Sequence, residues 1–285
     1  MSEKDTLHQE QADAAASFYQ TASTEECAKN LNGKFFRYRL VLVAEAALIL
    51  LLAANWILQW RWPIPAVVIL AILAVLGVLF LHGCRLVLYQ LPEGILYHDC
   101  DPVKYVTLLR MLCGRAKKRQ KLMLEIQLCS ALYAAGEFDE ALETLERIEP
   151  AIRSGMATFV IDLHAKLDAE REDYSRFPEY IERLNKMYDQ YKTNDQAVAQ
   201  IIGTLNSVEF YRNLHEEKLD ECRKTLEIWE RVSTNEYQKV YTKYLLGQVL
   251  RTSDPKRARA CFQYVAEHGN TMYQVQRAAQ QLEEN

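Results

Sequence analysis

The sequence predicts an all-α protein: a two-helix transmembrane hairpin, then an α-solenoid of about four helix pairs with a capping helix. Three observations lead there. Two long runs are apolar on every side of a helix, the charges flanking them are unevenly distributed, and the rest of the chain repeats one apolar spacing without strand-like alternation. The predicted layout is a polar N-terminal segment (1–35), the hairpin (36–84, spans about 38–59 and 64–84), a connector (85–100) and helical repeats (101–285).

Residues Leu40 to Leu58 read LVLVAEAALILLLAANWIL, and Ala66 to Leu81 read AVVILAILAVLGVLFL. A bilayer core of about 30 Å needs roughly 20 apolar residues as a helix. The first run meets that length, and the second approaches it with its flanks. Buried core helices of a soluble protein are the alternative, but two adjacent runs with no polar face argue against it. Between them lies only Gln59-Trp60-Arg61-Trp62-Pro63, a tight turn. Trp56, Trp60 and Trp62 cluster there, as in an interfacial aromatic belt.

Charge sets the orientation. Lys29, Lys34, Arg37 and Arg39 precede the first span and Arg85 and Lys104 follow the second, whereas the turn carries only Arg61. The positive-inside bias therefore predicts a multi-pass cell-membrane protein with both termini cytoplasmic. The first twenty residues are polar, so no cleavable signal peptide is expected. Seven scattered cysteines without a C-x-x-C pair suit free thiols in a reducing compartment.

Glu45 lies within the first span, where an ionised carboxylate is costly. Counting back from the turn puts it near Phe80–His82. Three readings stand open: it snorkels to the inner interface, it pairs with His82 across the hairpin, or it belongs to an ion pathway.

Beyond a turn at Leu91-Pro92-Glu93-Gly94, Asp101-Pro102 has the form of an N-cap followed by proline at the first helical position. Leu128-Cys129, Leu132, Gly136, Phe138, Ala141, Leu145 and Ile148 then fall at the offsets of the tetratricopeptide consensus. Small residues let paired helices cross closely, glycine permits the turn, and the larger side chains fill the space between helices. Later second helices repeat the spacing of four then three: Tyr180, Leu184, Met187; Cys222, Leu226, Trp229; Ala258, Phe262, Val265. Their separations of 39, 42 and 36 residues exceed the ideal of about 34. A turn at Ser253-Asp254-Pro255 and a final helix from Met272 to Leu282, with polar Gln and Glu outward, complete the stack.

On these motifs the chain resembles tetratricopeptide-repeat (TPR-like) proteins, in particular bacterial membrane-anchored ones in which a short anchor precedes the repeats. The match covers Glu125 to Ile148 and Tyr244 to Val265. The middle copies depart from it, Tyr180 standing where a small residue belongs. An all-α bundle with chance heptad-like spacing is the alternative.

The resemblance implies a peptide groove lined by the first helix of each pair, with candidates Gln127, Ser130 and Tyr133 in the first copy, Tyr211 in the middle, and Tyr244, Gln248 and Arg251 in the last. Core filling is the competing role for each tyrosine. Ile126 and Ser130 occupy the positions where chaperone-binding members carry a Lys and Asn clamp, so chaperone-tail recognition does not carry over.

Arg115, Lys117, Lys118, Arg119 and Lys121 belong to a collar of seven basic residues without an acid between Val103 and Lys121. It is either solvated helix surface or a contact for anionic lipid headgroups. From Leu122 onward acids outnumber bases 28 to 20, so nucleic acid is not an expected partner. No phosphate-binding glycine loop, G-x-S-x-G or H-E-x-x-H is present, and no enzyme activity, metal or cofactor is implied. His98-Asp99-Cys100-Asp101 reads as a polar connector and helix cap, and His164 and His215 as packed or surface residues. The expected function is a membrane-anchored scaffold binding a cytoplasmic protein or peptide. An accessory subunit of a membrane transport or secretion complex is the alternative.

Overall fold

The computed structural model describes residues 18–57, 62–152 and 154–284, without the side chains of 85–87, 89, 118, 119 and 154. Among the described residues every regular element is helical. The chain divides into two compact units, Met1–Gly94 and Ile95–Asn285.

The first unit is built on α1 (Thr24–Ile57) and α2 (Ile64–Gln90). A capping box starts α1: the Ser23 hydroxyl accepts from the Glu26 amide at 3.3 Å, and the Glu26 carboxylate accepts from the Ser23 amide at 3.0 Å. At 1.5 Å per residue the helices measure about 51 and 40 Å, longer than a hydrocarbon core of about 30 Å. Both are long and apolar enough to cross a membrane. Their side chains face outward, with Val43 and Leu79 more than half exposed. The core helix of a soluble protein would be covered instead. Gln59, Trp60 and Arg61 of the expected turn lie outside the described residues.

Where α1 and α2 pack together, a seven-residue stripe emerges that the uniformly apolar sequence hides. Ala74, Leu81 and Leu88 are the buried residues of that stripe on α2. Small residues let backbones approach without a hydrophobic drive from water. Gly77 does so for Glu45: a Cβ at Gly77 would stand 2.6 Å from the Glu45 carboxyl carbon. The residue facing Glu45 is thus Gly77, about one turn from the expected Phe80–His82 level, and His82 is exposed. Equal steps counted back from Arg61 lead to Gly77, so the expected level lay about one turn too far along the second span. Glu45 Oε1 is buried without a hydrogen-bond partner among the described residues.

The second unit begins within a helical turn at Gly94–Tyr97 and continues through ten helices. These are α3 (Pro102–Cys113), α4 (Lys118–Ala135), α5 (Phe138–Ile148), α6 (Ala157–Glu170), α7 (Phe177–Tyr191), α8 (Asp195–His215), α9 (Leu219–Val232), α10 (Glu236–Leu250), α11 (Pro255–His268) and α12 (Tyr273–Glu283). The expected cap falls in place: Asp101 accepts from the Lys104 amide at 3.1 Å, and in the expected turn at Ser253-Asp254-Pro255 Asp254 likewise accepts from the Arg257 amide at 3.1 Å, each acid being followed by proline. Gly136 ends α4 at φ 82° and the Glu137 amide reaches back to the Leu132 carbonyl at 2.9 Å. The recurring apolar set is buried: Ala141, Leu145 and Ile148; Tyr180 and Leu184; Cys222 and Leu226; Ala258, Phe262 and Val265. Met187 and Trp229 are half-buried.

Most helices pack chiefly on a sequence neighbour, whereas α6 packs chiefly on α8. The unit also closes on itself. Asn270 Nδ2 donates to the Asp99 carbonyl at 3.0 Å, and the Thr271 hydroxyl to Asp101 Oδ1 at 2.7 Å. The end of the chain is thereby tied to the cap of α3. Cys100, between the two acids, takes φ 52° and buries its thiol, and burial pushes its pKa up to about 12. In α12, Gln274 turns inward and is fully buried, contrary to the polar-outward expectation. The closure puts a neighbour over that face.

Candidate functional site

A cleft of about 540 Å³ opens in the second unit. It is built by one face each of α6, α8 and α10, the first helices of the three later pairs. From α6 come Thr158, Asp162 and Lys166, four residues apart and so on one stripe. From α8 come Gly203, Thr204 and Ser207, small enough to leave the floor open. From α10 come Tyr237 and Tyr241, with Trp229 at the end of α9 and Tyr97 at one side.

Lys166 Nζ donates to Asp162 Oδ2 at 2.7 Å, and both side chains keep about a quarter of their surface exposed. Burial works against the ammonium, but Asp162 and then Tyr241 and Tyr237 outweigh it and hold Lys166 above the ordinary lysine value. A lysine held protonated is a donor and a point charge, not a nucleophile. Tyr237 and Tyr241 lie parallel, with ring centroids 6.2 Å apart, and Tyr97 meets Tyr237 edge-on at 5.8 Å. Lys166 sits over the Tyr241 ring at 5.7 Å. Burial raises the Tyr237 hydroxyl to about 12. The cleft therefore offers a protonated amine, a carboxylate, neutral hydroxyls and aromatic faces.

Behind this wall runs a chain of buried hydroxyls. Tyr211 bonds Tyr241, Tyr241 lies 3.2 Å from Tyr133, and Tyr133 lies 3.3 Å from Tyr273. Tyr273 donates to Glu170 at 2.5 Å, and Arg277 reaches the same carboxylate at 2.8 Å. Residues from α4, α6, α8, α10 and α12 meet here.

The structure brings together some of the sequence candidates and separates others. Tyr133 and Tyr211 join the hydroxyl chain, and Tyr244 packs edge-on to Phe262 and Tyr273. All three are buried, so they support the cleft from behind and do not face an open groove. The physical reason is the closure: α12 covers the inner face of α4 and α10. Gln127 and Ser130 are half-buried outside the cleft, Gln248 donates to the Tyr244 hydroxyl at 2.7 Å, and Arg251 donates to Gln281 at 3.0 Å. Asp162, Lys166, Tyr237 and Tyr241 escaped the sequence reading. Their signal was the stripe Thr158-Asp162-Lys166, legible only once the register of the middle helices is known.

Of the basic collar, Arg115 and Lys117 are exposed and Lys121 lies 3.8 Å from Glu125, while the side chains of Lys118 and Arg119 lie outside the described residues. His164 is buried with Nε2 3.1 Å from Glu149, and His215 stacks on Tyr174 at 4.0 Å. Among the described residues no three His, Cys, Asp or Glu side chains stand together as metal ligands. Comparison with family models, curated proteins and solved structures finds no match.

Proposed function

We propose that the protein is a membrane-anchored interaction scaffold. In this reading α1 and α2 cross the membrane as a hairpin with both termini in the cytoplasm. The helices α4 to α11 are four TPR-like pairs, α12 is the cap, and the cleft receives a segment of a partner protein. One observation carries it: a cleft formed by successive first helices, with aromatic walls and one fixed ion pair, suits recognition by stacking and hydrogen bonding.

The test is site-specific photo-crosslinking in cells. A crosslinker at Gln200, exposed in the cleft, should capture a defined partner, and one at Glu146, exposed on α5, should not. Tyr237→Ala with Lys166→Ala should abolish the adduct. If every position yields the same adducts, the scaffold reading falls. A reporter fused to the C-terminus, active only in the cytoplasm, checks the topology.

A second reading, an accessory subunit of a membrane transport or secretion complex, draws on Glu45 Oε1, buried within the hairpin without a hydrogen-bond partner among the described residues. There Glu45→Gln would disrupt assembly with other membrane subunits. Under the scaffold reading it leaves cleft crosslinking unchanged.

A further inference from the structure

At the polar end of the hairpin α1 and α2 leave a groove of about 530 Å³ between them. Its walls are Tyr38 and Val41 of α1 and Phe80, Leu81 and Leu88 of α2, and its rim is Lys34 and Arg37. A second hollow of about 400 Å³ shares those two cations and extends over Lys29, Asn30 and Gly33. Asn30, Lys34, Arg37 and Val41 follow one another at intervals of four, three and four along α1, so they form one stripe. Along it the chemistry changes in order from polar to cationic to apolar.

The level of each residue follows from the Glu45–Gly77 contact. Equal steps along two antiparallel helices put Val41 beside Leu81, Tyr38 beside Cys84 and Lys34 beside Leu88. The apolar walls therefore lie deeper in the hairpin, and the cations at its polar end. An amphiphile with an acyl chain below and an anionic group above has the same order.

The geometry points to a binding site for an anionic glycerophospholipid: one acyl chain lies along Val41, Phe80 and Leu81, and the headgroup phosphate is held by Lys34 and Arg37. The inference rests on the proposal that the hairpin crosses a membrane. Charge complementarity selects the anionic lipid over a neutral one. Among the described residues neither cation makes an ion pair. The one acid on the hollow, Glu26, is engaged by the amide and hydroxyl of Ser23. Lys34 is half-buried, donates to the Tyr19 hydroxyl at 3.2 Å and lies 5.2 Å from that ring. A lipid phosphate would supply the counter-ion that this half-buried ammonium lacks among the described residues.

Two glycines make the site testable without damaging the fold. Gly83 lines the apolar groove and Gly33 the polar hollow, and a Cβ at either would meet nothing within 4 Å. A large side chain at Gly83 would occupy lipid space, not protein space.

The full-length protein is reconstituted into nanodiscs of equal parts phosphatidylcholine and phosphatidylglycerol, and the lipids it retains on release are counted by native mass spectrometry. The wild type should keep phosphatidylglycerol in preference to phosphatidylcholine. Lys34→Gln with Arg37→Gln should reduce that preference by about tenfold or more. Gly83→Phe should reduce retention of both lipids. Equal retention of the two lipids by the wild type, or an unchanged preference in the double variant, overturns the lipid site while leaving the membrane reading intact. Failure of the wild type to enter nanodiscs overturns the membrane reading and this inference with it.

Discussion

Tyr273, on the last helix, seats its Cβ against the bare backbone of Gly136, so that a methyl group built on Gly136 would stand 2.8 Å from it. The two residues are 137 apart in sequence, and their contact closes the second unit. Gly136 also holds φ 82°, where a side chain is disfavoured by roughly 1–2 kcal/mol. Gly136→Ala combines that strain with overpacking, for a cost of about 2–4 kcal/mol. The measurement is thermal unfolding of the detergent-solubilised chain. Gly155→Ala, where the added methyl meets nothing within 4 Å, is the control and should leave Tm nearly unchanged.

The buried hydroxyl chain gives the unit an alkaline limit. Burial first, then neighbouring tyrosines and Glu170, raise Tyr133 and Tyr273 well above 10, and burial does the same for Tyr211 and Tyr241. A phenol whose folded pKa exceeds its unfolded value of about 10 contributes stability that is fully present below that pH. The contribution is lost as pH rises above 10 toward the folded values. Helicity should therefore hold at neutral pH and fall steeply above about pH 10. Tyrosinate absorbance from these residues should appear together with unfolding. Ionisation that runs ahead of helix loss would show the chain to be open to solvent.

In the hairpin, Gly77 and Glu45 occupy one space, so their substitutions should not be additive. Gly77→Ala pushes a methyl into the carboxylate and should cost about 1–3 kcal/mol of hairpin stability. Glu45→Ala frees that space. The double variant should recover most of what Gly77→Ala loses, a coupling measurable by a double-mutant cycle of denaturation in mixed detergent micelles.

The features that sequence reading placed correctly are those with local causes. Asp101 caps α3 because a short acceptor precedes a proline, and Gly136 and Ser253-Asp254-Pro255 mark turns because glycine and proline punctuate a helical pattern. The apolar runs of α1 and α2 need no partner to be recognised. The features it misplaced depend on distant contacts. For Tyr133 and Tyr244 the sequence left groove lining and core filling both open, and α12 decides for the core. Gln274 looked like an outward residue for the same reason. The residue facing Glu45 depends on how α1 and α2 pack across the hairpin, and two uniformly apolar runs carry no mark of that register. The cleft residues Asp162 and Lys166 were invisible because the middle helices lack the small-residue signature that fixes register.

Tyr180 shows why that signature is missing in α7. The position calls for a small residue, yet Tyr180 donates to Asp168 Oδ2 at 2.7 Å, and Arg176 donates to the same carboxylate through Nε at 3.1 Å and Nη2 at 2.6 Å. Asp168 is buried on α6, so three charge-assisted bonds tie α6 to the start of α7 where close packing of small residues would otherwise do so. Tyr180→Phe removes one bond and should cost about 1 kcal/mol. Asp168→Ala leaves the Tyr180 hydroxyl and the Arg176 fork without their acceptor and should cost about 3 kcal/mol, less whatever Arg176 recovers from solvent. Asp168→Asn keeps the shape and one acceptor and should fall between the two. If Asp168→Ala unfolds no earlier than Tyr180→Phe, the carboxylate is not what joins these helices, and the tyrosine ring alone fills the position.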